Sequence, residues 1–183
     1  MPKEGKTMNT NQHHTEPPRV YVACLAAYNN GILHGAWIEA TGAWSMWEAT
    51  RDMLAKSPIP DAEEWAIHDY EGFASIRINE YDSFERVAEL AAFIAEHGAL
   101  GAELIDHFCG DLEEARSALD DRHLGEYQSL ADYVQDVTEE TTAIPQNLRY
   151  YIDWQAMARD CELNGDLFTI QTAHDAVHVF AGC

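Results

Sequence analysis

Carboxylate side chains recur at helical spacing through the middle of this chain. One narrow stripe, taken at about 100° per residue, contains Asp82, Glu85, Glu89 and Glu96. A second stripe contains Asp132, Asp136, Glu139 and Glu140, and most apolar residues of both segments fall on the opposite side. Carboxylates can hold a cation, move protons as an acid–base pair, or present fixed negative charge to a basic partner.

The density of these carboxylates weakens any argument for catalysis by one pair. Among so many acids, two will meet the separation of a glycosidase pair by chance. A calcium loop gathers its oxygens on a short glycine-containing loop, whereas these carboxylates follow a helical period. No nucleophile elbow, H-E-x-x-H or G-x-G-x-x-G motif is present. We therefore expect no catalytic residue, no metal ligand and no cofactor.

Three other groups of residues could do chemistry, and each has a more ordinary interpretation. Residues 5–7, Gly-Lys-Thr, resemble the end of a phosphate-binding loop, but the required upstream glycine is absent. His174 and His178 have the spacing of two metal ligands on a helix, but they fall in a predicted hairpin with no third ligand nearby. His68 and Asp69 are adjacent on a predicted strand, so their side chains point to opposite faces.

The negative charge is concentrated in one region of the chain. Residues 61–140 contain 22 of the 32 acidic residues and four basic ones, a charge of −18 within a total of −21. The four bases are Arg77, Arg86, Arg116 and Arg122, and no lysine follows Lys56. Like charges at i,i+4 each cost a helix about 0.2 to 0.5 kcal/mol, so stability alone does not explain this composition.

Such a field repels nucleic acid and anionic lipid and attracts proteins with basic grooves. Solvated helix faces would explain one acidic stripe, but these stripes recur and nearly lack lysine and arginine. Adaptation to high salt would acidify the whole surface, whereas residues 1–60 carry balanced charge. We therefore expect a protein partner with a basic groove, and no binding to nucleic acid or membrane.

Length and composition indicate a folded, soluble protein. The chain has 183 residues, of which 46% are hydrophobic. Its longest apolar run near the N-terminus, residues 20–27, is too short to span a membrane. The cysteines lie far apart without paired spacing, so neither disulfides nor a zinc site is predicted. We expect a cytoplasmic location.

The first part of the chain predicts a small α+β unit. Residues 1–18 read as a disordered tail. Strands are predicted at 20–27 and 32–40, joined by an Asn-Gly hairpin, and at 65–70. Ser45 and Glu48 have capping-box spacing and predict a helix that ends before Pro58.

The rest of the chain predicts helices followed by a hairpin. Asp82 and Glu85 form a capping pair for a helix that ends at Gly98. Further helices are predicted at 100–108, at 111–121, after Ser129, and from Pro145 to about residue 162, with Leu148 and Tyr151 at core-like spacing in the last. Strands at 167–172 and 177–180 form a closing hairpin.

These elements predict an elongated α+β fold of three small modules. After the tail at 1–18, an N-terminal α+β module covers 19–75 and an acidic helical module covers 76–125. A C-terminal α+β module with antiparallel strands covers 126–183.

The excess negative charge of residues 61–140 can be compared with the charge on a length of DNA duplex. B-form DNA carries about one charge per 1.7 Å of axis, so an excess of 18 corresponds to about 30 Å, and a dimer to about 60 Å. From Glu85 to Glu89 a helix rises about 6 Å, close to two phosphate steps of about 3.4 Å each. Carboxylates at helical spacing can therefore stand in for phosphates.

Several sequence blocks, in the same order, resemble a known family. They are Val20-Tyr21-Val22, Tyr28-Asn29-Asn30-Gly31, Gly35-Ala36-Trp37, Ala66-Ile67-His68-Asp69-Tyr70-Glu71, Ile144-Pro145-Gln146-Asn147-Leu148, Tyr151-Ile152-Asp153-Trp154-Gln155-Ala156 and Arg159-Asp160. From about residue 20 to residue 180 the chain is similar to the ArdA antirestriction proteins of conjugative plasmids and transposons.

The resemblance implies a homodimeric mimic of bent DNA that occupies the DNA-binding groove of type I restriction-modification enzymes. It implies no catalysis and no cofactor, and it makes residues 131–143 the counterpart of an acidic antirestriction motif near the dimer contact. Within that segment the candidate packing or dimer contacts are Tyr133, Val134 and Val137. The candidate partner-binding surface comprises Asp82, Glu85, Glu89, Glu96, Glu103, Asp106, Asp111, Glu113, Glu114, Asp120, Asp121, Glu126, Asp132, Asp136, Glu139 and Glu140.

Two other functions remain open on sequence grounds. The first is an acidic interaction module that binds a basic transcriptional regulator or nucleoid protein. The second is a hydrolase that uses a carboxylate pair. Inhibition of a purified restriction enzyme separates the first from the leading interpretation, and turnover sensitive to one acid would favour the second.

Overall fold

The computed structural model describes residues 17–182, and within them the fold is α+β, as predicted. It contains six α-helices and two three-stranded antiparallel sheets. In chain order the elements are β1 (Arg19–Cys24), α1 (Leu25–Asn29), β2 (Gly35–Glu39), α2 (Ala43–Ala55), β3 (Trp65–Glu71), α3 (Phe84–His107), α4 (Leu112–Ser117), β4 (His123–Tyr127), α5 (Leu130–Thr141), α6 (Trp154–Leu163), β5 (Leu167–Ala173) and β6 (Ala176–Ala181).

The first sheet has the order β2-β1-β3, with Val20 paired to Ile38 across β1 and β2. The predicted strand at 20–27 is too long, because the chain leaves the sheet after Cys24 and forms the short helix α1. β1 and β2 pair as the predicted hairpin, but their connection is longer than residues 28–31. Backbone hydrogen bonds, including the one from the Ile32 amide to the Ala27 carbonyl, close a helical turn in this connection. Gly31 has a positive φ of 72°, which ends the turn.

Two predicted helix caps are wrong, by three residues at α2 and by one residue at α3. α2 begins at Ala43, because Gly42 takes the N-cap position. The hydroxyl of Ser45 donates a hydrogen bond to the Gly42 carbonyl oxygen at 2.8 Å. At α3 the cap is Ser83, whose hydroxyl oxygen accepts from the Arg86 amide at 3.2 Å. The carboxylate of Asp82 instead accepts from the Asn79 amide at 2.8 Å and holds the preceding turn.

Gly98 interrupts α3 where the sequence predicted a helix end. Its φ of 58° and ψ of −136° are accessible to glycine, so the backbone kinks there and then resumes as a helix to His107. The predicted helix at 100–108 is the second half of this element. Gly101 lies against Phe93, since a Cβ there would approach the Phe93 carbonyl oxygen to 3.1 Å. Phe93, near the acidic stripe, is consequently buried.

Between α3 and α5 the structure differs from the predicted helix at 111–121. The helix α4 is short, and a single π-helical turn, Ala118–Arg122, leads into β4. β4 was not predicted. α5 begins as predicted after Ser129, whose hydroxyl oxygen accepts from the Asp132 amide at 3.2 Å.

The helix predicted from Pro145 to about residue 162 is confirmed only in its second half, because α6 begins at Trp154. A 3-10 turn, Arg149–Tyr151, precedes α6, and Asp153 caps α6 by accepting from the Ala156 amide at 2.9 Å. Tyr151, placed at a core-like position by its spacing, is 84% exposed because that spacing applies only within a helix.

The second sheet has the order β4-β6-β5, and the predicted hairpin of β5 and β6 is confirmed. α3 connects the two sheets through aromatic contacts at its ends. Phe84 stacks on Trp65 of the first sheet at 4.3 Å, and His107 stacks on Phe168 of the second at 4.7 Å. The largest buried cluster accordingly includes residues of both sheets. A smaller cluster joins α5, α6 and β6.

No helix among residues 17–182 has the length and apolar character needed to cross a lipid bilayer.

Candidate partner-binding surface

The sixteen carboxylates proposed above from sequence, from Asp82 to Glu140, are called the acidic surface from here on. All of them are exposed except Asp82 and Glu139, which are half-buried. On α3 the two sides of the helix differ as the helical period predicts, because Glu85, Glu89 and Glu96 are exposed while Val87 and Leu90 are fully buried. Folding therefore leaves these charges in contact with solvent.

α3 packs against α4, and carboxylates of α3, of α4 with its N-cap, and of the π-helical turn after α4 share two shallow hollows. Glu89 lines one hollow together with Asp111 and Glu113. Glu96 and Asp120 line the other. Carboxylates that are 22 to 24 positions apart in sequence are thus neighbours on one surface.

The remaining members of the acidic surface lie outside these two hollows. Glu103 and Asp106 follow the kink of α3, and Asp106 lines a third hollow with Arg77 and Arg86. Glu126 lies on β4. The last four, Asp132, Asp136, Glu139 and Glu140, belong to α5, which packs against α6.

Three of the region's four arginines form ion pairs with it. Arg116 lies 3.1 Å from Glu113, and Arg122 lies 3.1 Å from Glu114. Arg86 lies 4.0 Å from Asp82. The acidic residues outnumber these bases so strongly that the surface keeps a large net negative charge.

Arg122 packs against aromatic rings in addition to forming its ion pair. Its side chain is 14% exposed, and its guanidinium lies over the Phe108 ring at 5.3 Å and the Phe168 ring at 6.0 Å. It also donates to the Glu114 carbonyl oxygen at 3.4 Å. This charge contributes to packing between α3, α4 and β5.

Two members of the acidic surface also stabilise helix ends. Asp111 accepts from the amides of Glu113 and Glu114 at 3.1 Å each, as an N-cap of α4 does. In the first turn of α5, the Asp132 carboxylate accepts a hydrogen bond from the Ser129 hydroxyl at 2.6 Å. Their presence has a local reason, whereas the other exposed acids of these helices have no such cap to form.

The candidate dimer contacts differ in how much of each side chain is exposed to solvent. Val134 is 5% exposed and belongs to the smaller buried cluster of its own chain. Tyr133 is half-buried and packs on Tyr127 at 5.1 Å, and this burial raises the pKa of Tyr133. Val137 is 37% exposed. Val137 is therefore the most exposed of the three.

Sequence reasoning missed an exposed aromatic pair in the turn before α6. Tyr150 is 92% exposed and Tyr151 is 84% exposed. The only sequence signal for this turn was Pro145, because proline occurs both at helix starts and in turns.

The candidate catalytic and metal motifs do not assemble into a site. Among residues 17–182, no three histidine, cysteine, aspartate or glutamate side chains converge to hold a metal ion. His174 has a side chain that is 97% exposed, while His178 contacts His123. His68 lies edge-on to Tyr28 at 4.8 Å. The phosphate-loop-like residues 5–7 fall outside the described residues.

Comparison with known proteins identifies the family. The family model of the antirestriction protein ArdA matches residues 20–176, which is most of the chain. A search of curated proteins finds no match. The matched range contains the acidic surface and both sheets up to the start of β6. The chain therefore belongs to the ArdA family of antirestriction proteins.

Proposed function

We propose that this antirestriction protein acts as a DNA mimic, occupying the DNA-binding groove of a type I restriction-modification enzyme. The inhibitor would thereby block restriction and modification of incoming mobile DNA. The observation that carries this proposal is that fourteen of the sixteen carboxylates of the acidic surface are exposed, within a region of charge −18.

The lengths of the helices suit a groove built for a duplex. The 24 residues of α3 correspond to about 36 Å of helix before its kink is taken into account, and the 12 residues of α5 to about 18 Å. A DNA duplex carries about 20 charges over 36 Å. The acidic region is therefore of the right order in both length and charge for a substantial part of a DNA site.

The mimic does not require each carboxylate to match a phosphate. Long-range attraction steers two oppositely charged surfaces together, and it depends on the total charge more than on any one group. The near absence of lysine and arginine from these helix faces supports this mechanism, since interspersed bases would weaken the field. Ion pairs such as Glu113 with Arg116 reduce it only locally.

A homodimer would extend the acidic surface along a longer DNA site. We propose that the contact lies in the C-terminal module, 126–183, and involves Val137 with Tyr133, while Val134 supports them from within the buried cluster. The N-terminal module, 19–75, and the acidic module, 76–125, would then point away from the contact. This arrangement doubles the charge available to the enzyme.

The test is competition between this protein and a DNA duplex for a purified type I enzyme. The labelled duplex contains the recognition site, and the protein is titrated at several duplex concentrations. Competitive occupation predicts that the concentration for half-inhibition rises in proportion to duplex concentration. Inhibition that is independent of duplex concentration would place the protein at another site on the enzyme.

The same experiment includes a basic nucleoid protein bound to the duplex as a second target. If the acidic protein displaces that protein efficiently but leaves the restriction enzyme on its DNA, the alternative of a general acidic interaction module is correct. Selective displacement of the type I enzyme favours the antirestriction mechanism. Turnover of a substrate is not expected in either case.

A further inference from the structure

His123 and His178 bring two imidazole nitrogens face to face on the second sheet. Nε2 of His123 lies 3.2 Å from Nδ1 of His178, and the ring centroids are 5.3 Å apart. The two residues lie on β4 and β6, whose antiparallel pairing places Glu126 opposite His178. The sheet itself therefore holds the rings together.

The surroundings orient both rings. The His123 ring packs on Phe180 with centroids 4.8 Å apart, and the His178 side chain is 12% exposed. Glu126 Oε2 lies 3.9 Å from His178 Nε2. A carboxylate at this end of the ring favours the proton on Nε2, which leaves the Nδ1 lone pair directed at His123.

We propose that His123 and His178 bind a first-row transition-metal ion such as Zn²⁺, through Nε2 and Nδ1 respectively. Two Zn–N bonds of about 2.0 to 2.1 Å at a tetrahedral angle place their nitrogens about 3.3 Å apart, so the separation changes little when the ion enters. His123 moves its proton to Nδ1 so that Nε2 can coordinate. Glu126, whose Oε2 lies 3.9 Å from the far nitrogen of His178, acts on that nitrogen through its charge, since this distance is too long for a direct hydrogen bond.

The site is an open one. Residues 17–182 supply no third protein ligand at this position, so water completes the coordination. Two imidazoles suit zinc, copper and nickel better than calcium or magnesium, which prefer oxygen ligands. The expected ligand is thus an exchangeable transition-metal ion and not a permanently held structural one.

The charge of the protein favours cation binding at this position. Asp120 and Asp121 precede His123 in the chain, and the whole molecule carries a net charge of −21, which raises the local concentration of cations.

Binding at this pair would cross-link an edge strand to the centre of the second sheet. β4 pairs only with β6 in the order β4-β6-β5. An ion that binds the folded chain and has lower affinity for the unfolded chain raises stability with its concentration. This inference does not depend on the DNA-mimic mechanism, because neither histidine belongs to the acidic surface.

The experiment titrates zinc chloride into the full chain and follows the imidazole nitrogens by long-range ¹H–¹⁵N NMR, with calorimetry for the affinity. The test variants are His123→Gln and His178→Gln, which keep a polar side chain but supply no imidazole. The matched controls are His174→Ala, on the adjacent hairpin turn, and a double change of His13 and His14 to alanine. Circular dichroism checks that each variant is folded.

Zinc should shift Nε2 of His123 and Nδ1 of His178 together in the wild type and in both controls. Each glutamine variant should lose at least tenfold in affinity for this site and lose the zinc-dependent rise in melting temperature. The proposal is overturned if the glutamine variants bind zinc as the wild type does. It is equally overturned if zinc leaves both imidazoles unchanged while shifting only His13, His14 or His174.

Discussion

The imidazole of His107 stacks on the ring of Phe168, with centroids 4.7 Å apart and planes 8° apart. Phe168 stacks in turn on Phe180 at 4.9 Å, and Phe180 contacts His123 at 4.8 Å. This column of rings joins the last turn of α3 to all three strands of the second sheet. The position of the acidic helix relative to that sheet therefore depends on aromatic packing.

Removing the centre of the column should destabilise the fold. Phe180 is fully buried, so Phe180→Ala should lower the free energy of unfolding by about 3 to 5 kcal/mol through lost packing and a cavity. Leu163→Ala is the control, because Leu163 is 77% exposed and its loss should change stability by less than about 0.5 kcal/mol. Urea unfolding measures both. A cost below about 1 kcal/mol for Phe180→Ala would show that the column contributes little.

The kink of α3 should depend on glycine for conformational reasons alone. A Cβ on Gly98 meets no atom within 4 Å, but the φ of 58° and ψ of −136° disfavour any other residue. Gly98→Ala should therefore cost about 1 to 3 kcal/mol in backbone strain. Ala99→Ser, beside it and also exposed, serves as the control. Equal thermal stability of the two variants would contradict this account.

Single charge changes in the acidic surface should have small effects, and combined changes larger ones. An exposed charge contributes about 0.2 to 1 kcal/mol, so Glu89→Gln should weaken inhibition by about fivefold at most. Changing Glu85, Glu89 and Glu96 together to glutamine should weaken it further. Inhibition of type I cleavage measures the effect.

A matched triple variant tests whether position matters as well as charge. Glu39→Gln, Glu48→Gln and Asp52→Asn together remove three exposed charges from the first module, outside the acidic surface. This variant should inhibit more strongly than the triple variant on α3. If the two lose inhibition equally, net charge alone accounts for binding. If Glu89→Gln alone abolishes inhibition, a localised site replaces the distributed surface.

Stability should fall on mild acidification partly through His123. The pKa of His123 is lowered, first by burial and then by His178, so the unfolded chain takes up this proton at higher pH than the folded chain. The stabilisation is thus present above the ordinary histidine pKa of about 6.5 and is lost as pH falls through the folded value.

Comparing His123→Gln with the wild type isolates this contribution from the many carboxylates that titrate nearby. The free energy of unfolding of the variant should depend less on pH below about pH 6.5. His174→Ala is the control, since that side chain is almost fully exposed. An identical pH dependence in wild type and His123→Gln would exclude a role for His123.

Local sequence signals predicted the elements that depend on local contacts. The cap of α5 at Ser129 and the hairpin of β5 and β6 are examples, since each follows from neighbouring residues. The burial of Val87 and Leu90 opposite the carboxylates followed from helical period alone. The exposure of the carboxylates on α3 could be predicted for the same reason.

The elements that sequence reasoning missed depend on distant contacts. β4 is a strand because it pairs with β6, whose paired residues lie 50 or more positions later, and its own five residues show no clear alternation. The contact of His123 with His178 arises from that pairing and has no local signal. The burial of Phe93 similarly requires the kink at Gly98, which folds the second half of α3 over it.

The most direct test of the central claim is the affinity for a purified type I enzyme as a function of salt concentration. If the acidic surface replaces DNA in the groove, binding should weaken by at least about tenfold between about 50 and 200 mM salt, because basic groups of the enzyme provide most of the attraction. The duplex should show the same trend in parallel titrations. An affinity that is unchanged over this range would contradict charge mimicry, even if the protein still inhibited the enzyme.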